Sequence, residues 1–144
     1  MNVKTCGKMM EKYLINFFGR KPNMTDFGSD VSFCVYDEFD NRTYAILGGD
    51  YESSVTYTIS RWGELSVETY ISNARARVVA PYLKSILRKV NNANYHTSST
   101  PYVPGESALS YRIWLSNVDE DNLTGAMDSI MKAFGFALME LENI

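Results

Sequence analysis

Early in the chain apolar residues fall in adjacent pairs spaced by four: Met9 and Met10, Tyr13 and Leu14, Phe17 and Phe18. That spacing makes one broad apolar stripe on a helix. Gly19 suits the residue just past a helix end and Pro22 cannot continue one, so a helix is expected over roughly residues 4–18. The period then changes to two. Val31, Phe33 and Val35 alternate with Ser32, Cys34 and Tyr36, which reads as a strand. Residues 37–41 carry turn chemistry, residues 43–47 read as a second strand, and Gly48-Gly49-Asp50 breaks the chain.

The sharpest local signal follows. Val55, Tyr57 and Ile59 alternate with Ser and Thr, and Leu65, Val67, Thr69 and Ile71 alternate with polar residues and Tyr70. Between them lies Arg61-Trp62-Gly63. A three-residue loop with Gly63 left-handed sets Ile59 opposite Leu65 and Tyr57 opposite Val67, whereas a two-residue loop would set apolar against polar. Register follows the apolar face, so the three-residue loop is expected.

Asn73 can cap a second helix, whose stripe is Val78, Val79, Tyr82, Leu83, Ile86, Leu87 and Val90. Pro81 lies within it, so the helix either kinks there or begins there. Residues 91–94 end it. A short polar strand is expected over 95–100, a loop over 101–107, and a well-alternated strand through Leu109, Tyr111, Ile113 and Leu115. Asn117 and Glu120 resemble a capping box, with Asp119 and Asp121 suited to a helix start. Leu123, Met127, Ile130, Met131, Phe134, Leu138 and Leu141 then share one face of a final helix, which Gly125 and Gly135 weaken unless close packing requires them. The strands cluster instead of alternating singly with helices. That order (helix, strands, helix, two strands, helix) implies an α+β domain with an antiparallel sheet of about five or six strands and helices packed on one face.

At 144 residues the chain is expected to form one domain, and it carries ten tyrosines, seven phenylalanines and seven methionines. The formal charge of −3 lacks the basic footprint of a general nucleic-acid binder, so nucleic acid is not the expected partner. No apolar run approaches the length of a membrane span, and charged residues interrupt the N-terminal stretch, so a cytoplasmic protein is expected. Cys6 and Cys34 are read as buried free thiols.

His96 is the only histidine, which removes a catalytic triad or a two-histidine metal site. Gly48-Gly49 lacks the lysine of a phosphate loop. Asp37, Glu38 and Asp40 lack calcium-loop spacing. No catalytic residue, metal or cofactor is expected. Charge distribution offers more. Arg75, Arg77, Lys84, Arg88 and Lys89 make the second helix basic, either as a solvated face or as a groove for an acidic segment. Trp114 and Arg112 fall out of phase with the core residues of their strand, and Tyr70 faces the same way from the hairpin. With Trp62 in the hairpin loop, they form a candidate protein interface, since Trp, Tyr and Arg are common anchors. Trp114 could equally be covered within the monomer.

The stretch from Val78 to Ile144, with "YLKSILRKVNNANY", "YRIWLSN" and an acidic helix start, together with "MMEKYLINFFG" near the N-terminus, resembles the YbjN-type family of bacterial sensory-transduction regulators. The longer loop "TPYVPGES" and a hairpin around 37–47 depart from that pattern. The resemblance implies the type III secretion chaperone-like fold and a non-enzymatic, commonly dimeric protein; secretion chaperones of this fold wrap a partner segment around the dimer. The expectation is therefore a chaperone-like or regulatory protein-binding module that pairs with itself and with an unidentified protein. The alternative is a small-ligand receptor or enzyme using Tyr95, His96, Tyr102 and Glu106 near the 101–107 loop.

Overall fold

The chain runs through α1 (Val3–Phe18), β1 (Asn23–Asp26), β2 (Asp30–Val35), α2 (Asn41–Ile46), β3 (Val55–Ser60), β4 (Leu65–Ile71), α3 (Asn73–Arg88), β5 (Asn94–Val103), β6 (Glu106–Leu115) and α4 (Leu123–Glu142). These elements belong to a computed structural model that describes residues 1–35, 40–48, 54–71, 73–90, 93–103 and 106–144. The six strands form one open antiparallel sheet in the order β1-β2-β3-β4-β6-β5. Along β2 and β3 every second residue is buried, and those residues face the helices. α1 packs on β2 and β3, α4 on β4 and β6, and α3 on β5 and β6. The α+β layout expected from clustered strands is what forms.

Local chemistry explains most boundaries. The Asn2 side chain accepts from the N–H groups of Lys4 and Thr5 at 3.0 and 3.1 Å, which starts α1. Gly19, at φ +75°, ends it by donating its N–H to the Ile15 carbonyl. A Cβ on Gly7 would lie 3.1 Å from Val31 Cγ1, so α1 sits close on β2. The β3–β4 hairpin has Ile59 opposite Leu65 and Tyr57 opposite Val67, with Gly63 at φ +80°, as the apolar register requires. Its tip is tied forward, because the Val118 N–H donates to the Gly63 carbonyl at 2.9 Å.

Several expectations need correction. Residues 43–47 are not a strand, because α2 covers Asn41–Ile46 and leads into the buried Leu47. Asp40 accepts from the Thr43 N–H and the Thr43 hydroxyl at 3.2 and 2.7 Å, and this capping outweighs a weak alternation. Asp37, Glu38 and the rest of the turn before Asp40 lie outside the described residues, as do Gly49, Asp50, Asn91 and Asn92. β1 was not expected; it is an edge strand exposed along its whole length and therefore has no alternating pattern. Pro81 lies inside α3, not at its start. Val78 and Tyr82 leave the expected apolar stripe and are half exposed, while Ala76, Val79, Leu83, Ile86 and Leu87 are buried.

The expected 101–107 loop is the far end of a long hairpin, with Pro101 paired to Ser107 and Val103 to Glu106. β5 is an edge strand, where a proline forfeits no inner ladder bond. Pro104 and Gly105 lie outside the described residues. The Asn117–Glu120 capping box does not form either. Asn117 takes φ +60°, α4 begins at Leu123, and Asp119 accepts from the N–H groups of Asp121 and Asn122 at 3.0 and 3.2 Å. Glu120 accepts instead from the Asn2 N–H. That contact holds its carboxyl below the usual range.

The buried face of α4 carries Leu123, Met127, Ile130, Phe134, Leu138 and Leu141 as expected, with Met131 half-buried. A Cβ added at Gly125 or Gly135 meets nothing within 4 Å, so close packing does not explain either glycine. Gly125→Ala is therefore expected to raise stability by about 1 kcal/mol. A higher midpoint in urea denaturation checks this, and an unchanged midpoint counts against it.

Candidate functional site

Helices cover one side of the sheet, and the alternate residues on the other side are mostly half-buried. Pairing places Ser32, Thr58, Ser66 and Trp114 in one row, and Cys34, Thr56, Glu68 and Arg112 in the next. Tyr70 and Ser110 follow. Hydroxyls and the thiol of this face pair across strands, Ser32 with Thr58 at 2.9 Å and Cys34 Sγ with Thr56 at 3.2 Å. The result is a low surface of small polar side chains with one prominent cluster.

That cluster is built around Arg112. Register sets it opposite Glu68, yet its guanidinium lies 4.8 Å from the centre of the Trp114 ring and pairs with Glu64. An arginine stacked on indole is favourable beyond its charge. Ser66, opposite Trp114, is left only 3% exposed although it lies on the uncovered face. Arg112, from the next row, lies over the Trp114 ring and covers part of it. The Tyr70 hydroxyl donates to Glu68 at 3.3 Å. Trp114, Arg112 and Tyr70 are brought together on one face as expected. Trp62 is not part of their rows: it sits at the β3–β4 tip, 71% exposed, with the Arg61 guanidinium 4.4 Å over its ring.

The basic helix divides. Arg75 donates to the carbonyls of Ile46 and Ile144 at 3.2 and 3.3 Å and to that of Leu141, so it ties the C-terminal ends of α2 and α4. Cations suit those ends because helix carbonyls there lack partners. Arg75 therefore serves the fold, and a groove made of all five cations is not what forms. Arg77, Lys84, Arg88 and Lys89 are exposed. Arg42 and Glu142 form a second tie between α2 and α4, a bidentate pair at 2.8 and 2.7 Å.

Of the four residues considered for a site near 101–107, the two with described side chains fall on opposite faces of β5. Tyr95 pairs with Ile113 and packs against the core, whereas His96 pairs with Arg112 on the opposite face of β5. The side chains of Tyr102 and Glu106 lie outside the described residues. Cys6 and Cys34 are both free thiols; Cys6 lies on the buried face of α1, but Cys34 is only half-buried, because it lies on the open face. Among the described residues no group of three or more His, Cys, Asp and Glu is placed to hold a metal, and no helix is long and apolar enough to cross a membrane.

Sequence reasoning missed a cavity on the helical side. It has a volume of about 140 Å³ and lies between the end of α1, α2, α4 and strands β2 and β3. Phe17, Phe18, Tyr44, Tyr57 and Phe134 contribute rings to its wall, and Val35, Val55, Met131 and Leu138 fill the gaps between them. Phe17 and Phe18 meet edge to face with centroids 4.9 Å apart, and Phe17 is 58% exposed. Asp40, Thr43 and Gly135 complete the lining. Burial, and after it the charge of Asp40, pushes the Tyr57 phenol far above its usual range. Its lining comes from five elements and the N-cap of α2, so no local motif announces it. The signals present in the chain are the Phe17-Phe18 pair at a helix end and a glycine inside α4.

No protein-family model matches the chain, and no curated protein matches it.

Proposed function

We propose that the chain is a non-enzymatic protein-binding module of chaperone-like or regulatory type, working as a homodimer. The observation that carries this reading is the uncovered sheet face with its Glu64–Arg112–Trp114 cluster. A two-fold axis makes a patch meet itself, so the patch must be complementary to its own copy. Glu68 and Arg112 sit side by side in one row, and a copy rotated about an axis along the strands between them would set each acid against the other's base. The surrounding Ser and Thr side chains are short enough for sheets to approach to about 10 Å. The first occupant of this face is a second copy, and an unidentified protein partner binds the dimer. Free thiols suit a reducing cytoplasm. A net charge of −3 and the structural use of Arg75 argue against nucleic acid as partner.

Sedimentation velocity over a wide concentration range tests the reading. The chain is expected to self-associate, and Trp114→Ala to weaken association by about tenfold or more, as for a central aromatic anchor. Trp62→Ala, outside the rows, is expected to have a much smaller effect. A monomer at every concentration, or a Trp114→Ala variant that associates like the parent chain, sinks the proposal.

A further inference from the structure

The cavity between α1, α2, α4 and the sheet lies away from the open face, so what it binds is independent of the dimer. Its volume of about 140 Å³ is close to that of an apolar cavity of about 150 Å³ that takes up benzene, so one six-membered ring is the size of body it holds. Small-molecule sites are typically apolar with a few polar groups that fix orientation. Here the apolar part is dominated by five aromatic rings, and among the described residues the one ionic side chain in the wall is Asp40.

Asp40 sets the sign of the ligand. Its carboxylate is half-buried, and among the described residues its donors are the N–H and hydroxyl of Thr43. A carboxylate has about four acceptor positions, so lone pairs remain for a further donor. Aromatic faces attract cations as well, and more strongly where water is excluded. An anion would meet repulsion from both features. A neutral ring would gain from the apolar wall and leave the carboxylate unused. We propose that this cavity is a binding site for a small organic ammonium ion, its apolar body of one ring lodged among Phe17, Phe18, Tyr44, Tyr57 and Phe134 and its cationic head directed to Asp40.

Gly135 provides a way to close the site without harming the fold. It lines the cavity, and a Cβ built on it meets nothing within 4 Å. Leucine there replaces a poor helix former with a good one, so Gly135→Leu should keep or raise the melting temperature while occupying the space. Asp40→Asn removes the charge and keeps the cap of α2, since asparagine caps as well as aspartate.

The test titrates the full chain by calorimetry with three probes of one shape, namely benzylammonium, benzyl alcohol and benzoate. Saturable one-to-one binding of benzylammonium is expected, with benzyl alcohol at least about tenfold weaker and benzoate weaker still; the factor reflects a charge-assisted contact. Asp40→Asn is expected to bring the ammonium down to the level of the alcohol. Gly135→Leu, with its melting temperature maintained, is expected to abolish binding. Absence of saturable ammonium binding by the folded chain overturns the proposal. So does equal affinity for ammonium and alcohol, or ammonium binding that survives in Gly135→Leu.

Discussion

Gly63→Val is expected to destabilise the chain by about 3 kcal/mol or more, a large share of the roughly 5–15 kcal/mol that holds a domain of ordinary stability. Two separate effects combine. Gly63 has φ +80°, where a β-branched residue is a steric outlier. A Cβ at this position would also stand 2.8 Å from the Val118 carbonyl oxygen, which is backbone and cannot swing aside. Moving the hairpin tip away would break the bond from the Val118 N–H to the Gly63 carbonyl, and with it the path of the chain into α4. Gly28 supplies the comparison. It has a similar φ of +84°, but a Cβ there meets nothing within 4 Å. Gly28→Val should therefore show the backbone penalty alone, about 1–2 kcal/mol. Urea denaturation of both variants measures the difference, and a Gly63→Val variant no worse than Gly28→Val would refute the role assigned to the close approach.

The same hairpin shows why part of this architecture could be read from residues alone. Apolar side chains at alternate positions on both strands admit only one register that buries them together, and a glycine stands where that register needs a left-handed residue. The stripe of α4 and the glycine that ends α1 were legible for the same reason, since each signal is local. What was illegible depends on neighbours. β1 is wholly exposed and is held by pairing with β2. Residues 43–47 alternate weakly, and the capping contact from Asp40 decides for helix. Pro101 reads as loop unless one knows that β5 is an edge. Site residues divide in the same way. Strand alternation alone put Trp114, Arg112 and Tyr70 on one face. It could not show that Arg112 reaches past Glu68 to Glu64, that Arg75 is consumed by carbonyls of α2 and α4, or that rings from α1, α2, β3 and α4 line one cavity.

Above pH 10 the chain is expected to lose stability steeply, and the cause lies in the core that separates the cavity from the open face. Tyr57 and Tyr111 are 1% exposed each. Burial first, and then the charge of Asp40, pushes the Tyr57 phenol far up; burial first, and then Tyr57, does the same for Tyr111. In the unfolded chain both ionise near pH 10. Between that point and their raised folded values the native state holds more protons, so unfolding becomes easier as pH rises. The stabilisation is complete below pH 10 and is lost through the alkaline range. Each phenol contributes a slope of about 1.4 kcal/mol per pH unit, so the pair gives about 2.7. Tyr13 is pushed up to about 12, by burial and by donating to Asp128 at 2.6 Å, and adds a smaller share because water screens it. Tyr111→Phe separates this account from general alkaline damage. The Tyr111 hydroxyl has no hydrogen-bond partner among the described residues, so its removal should raise stability at neutral pH by about 1 kcal/mol. The same substitution should halve the slope contributed by the buried pair. Urea midpoints taken from pH 8 to pH 11 measure both effects, and an unaltered slope in Tyr111→Phe would show that this phenol is not among the groups that withhold their protons.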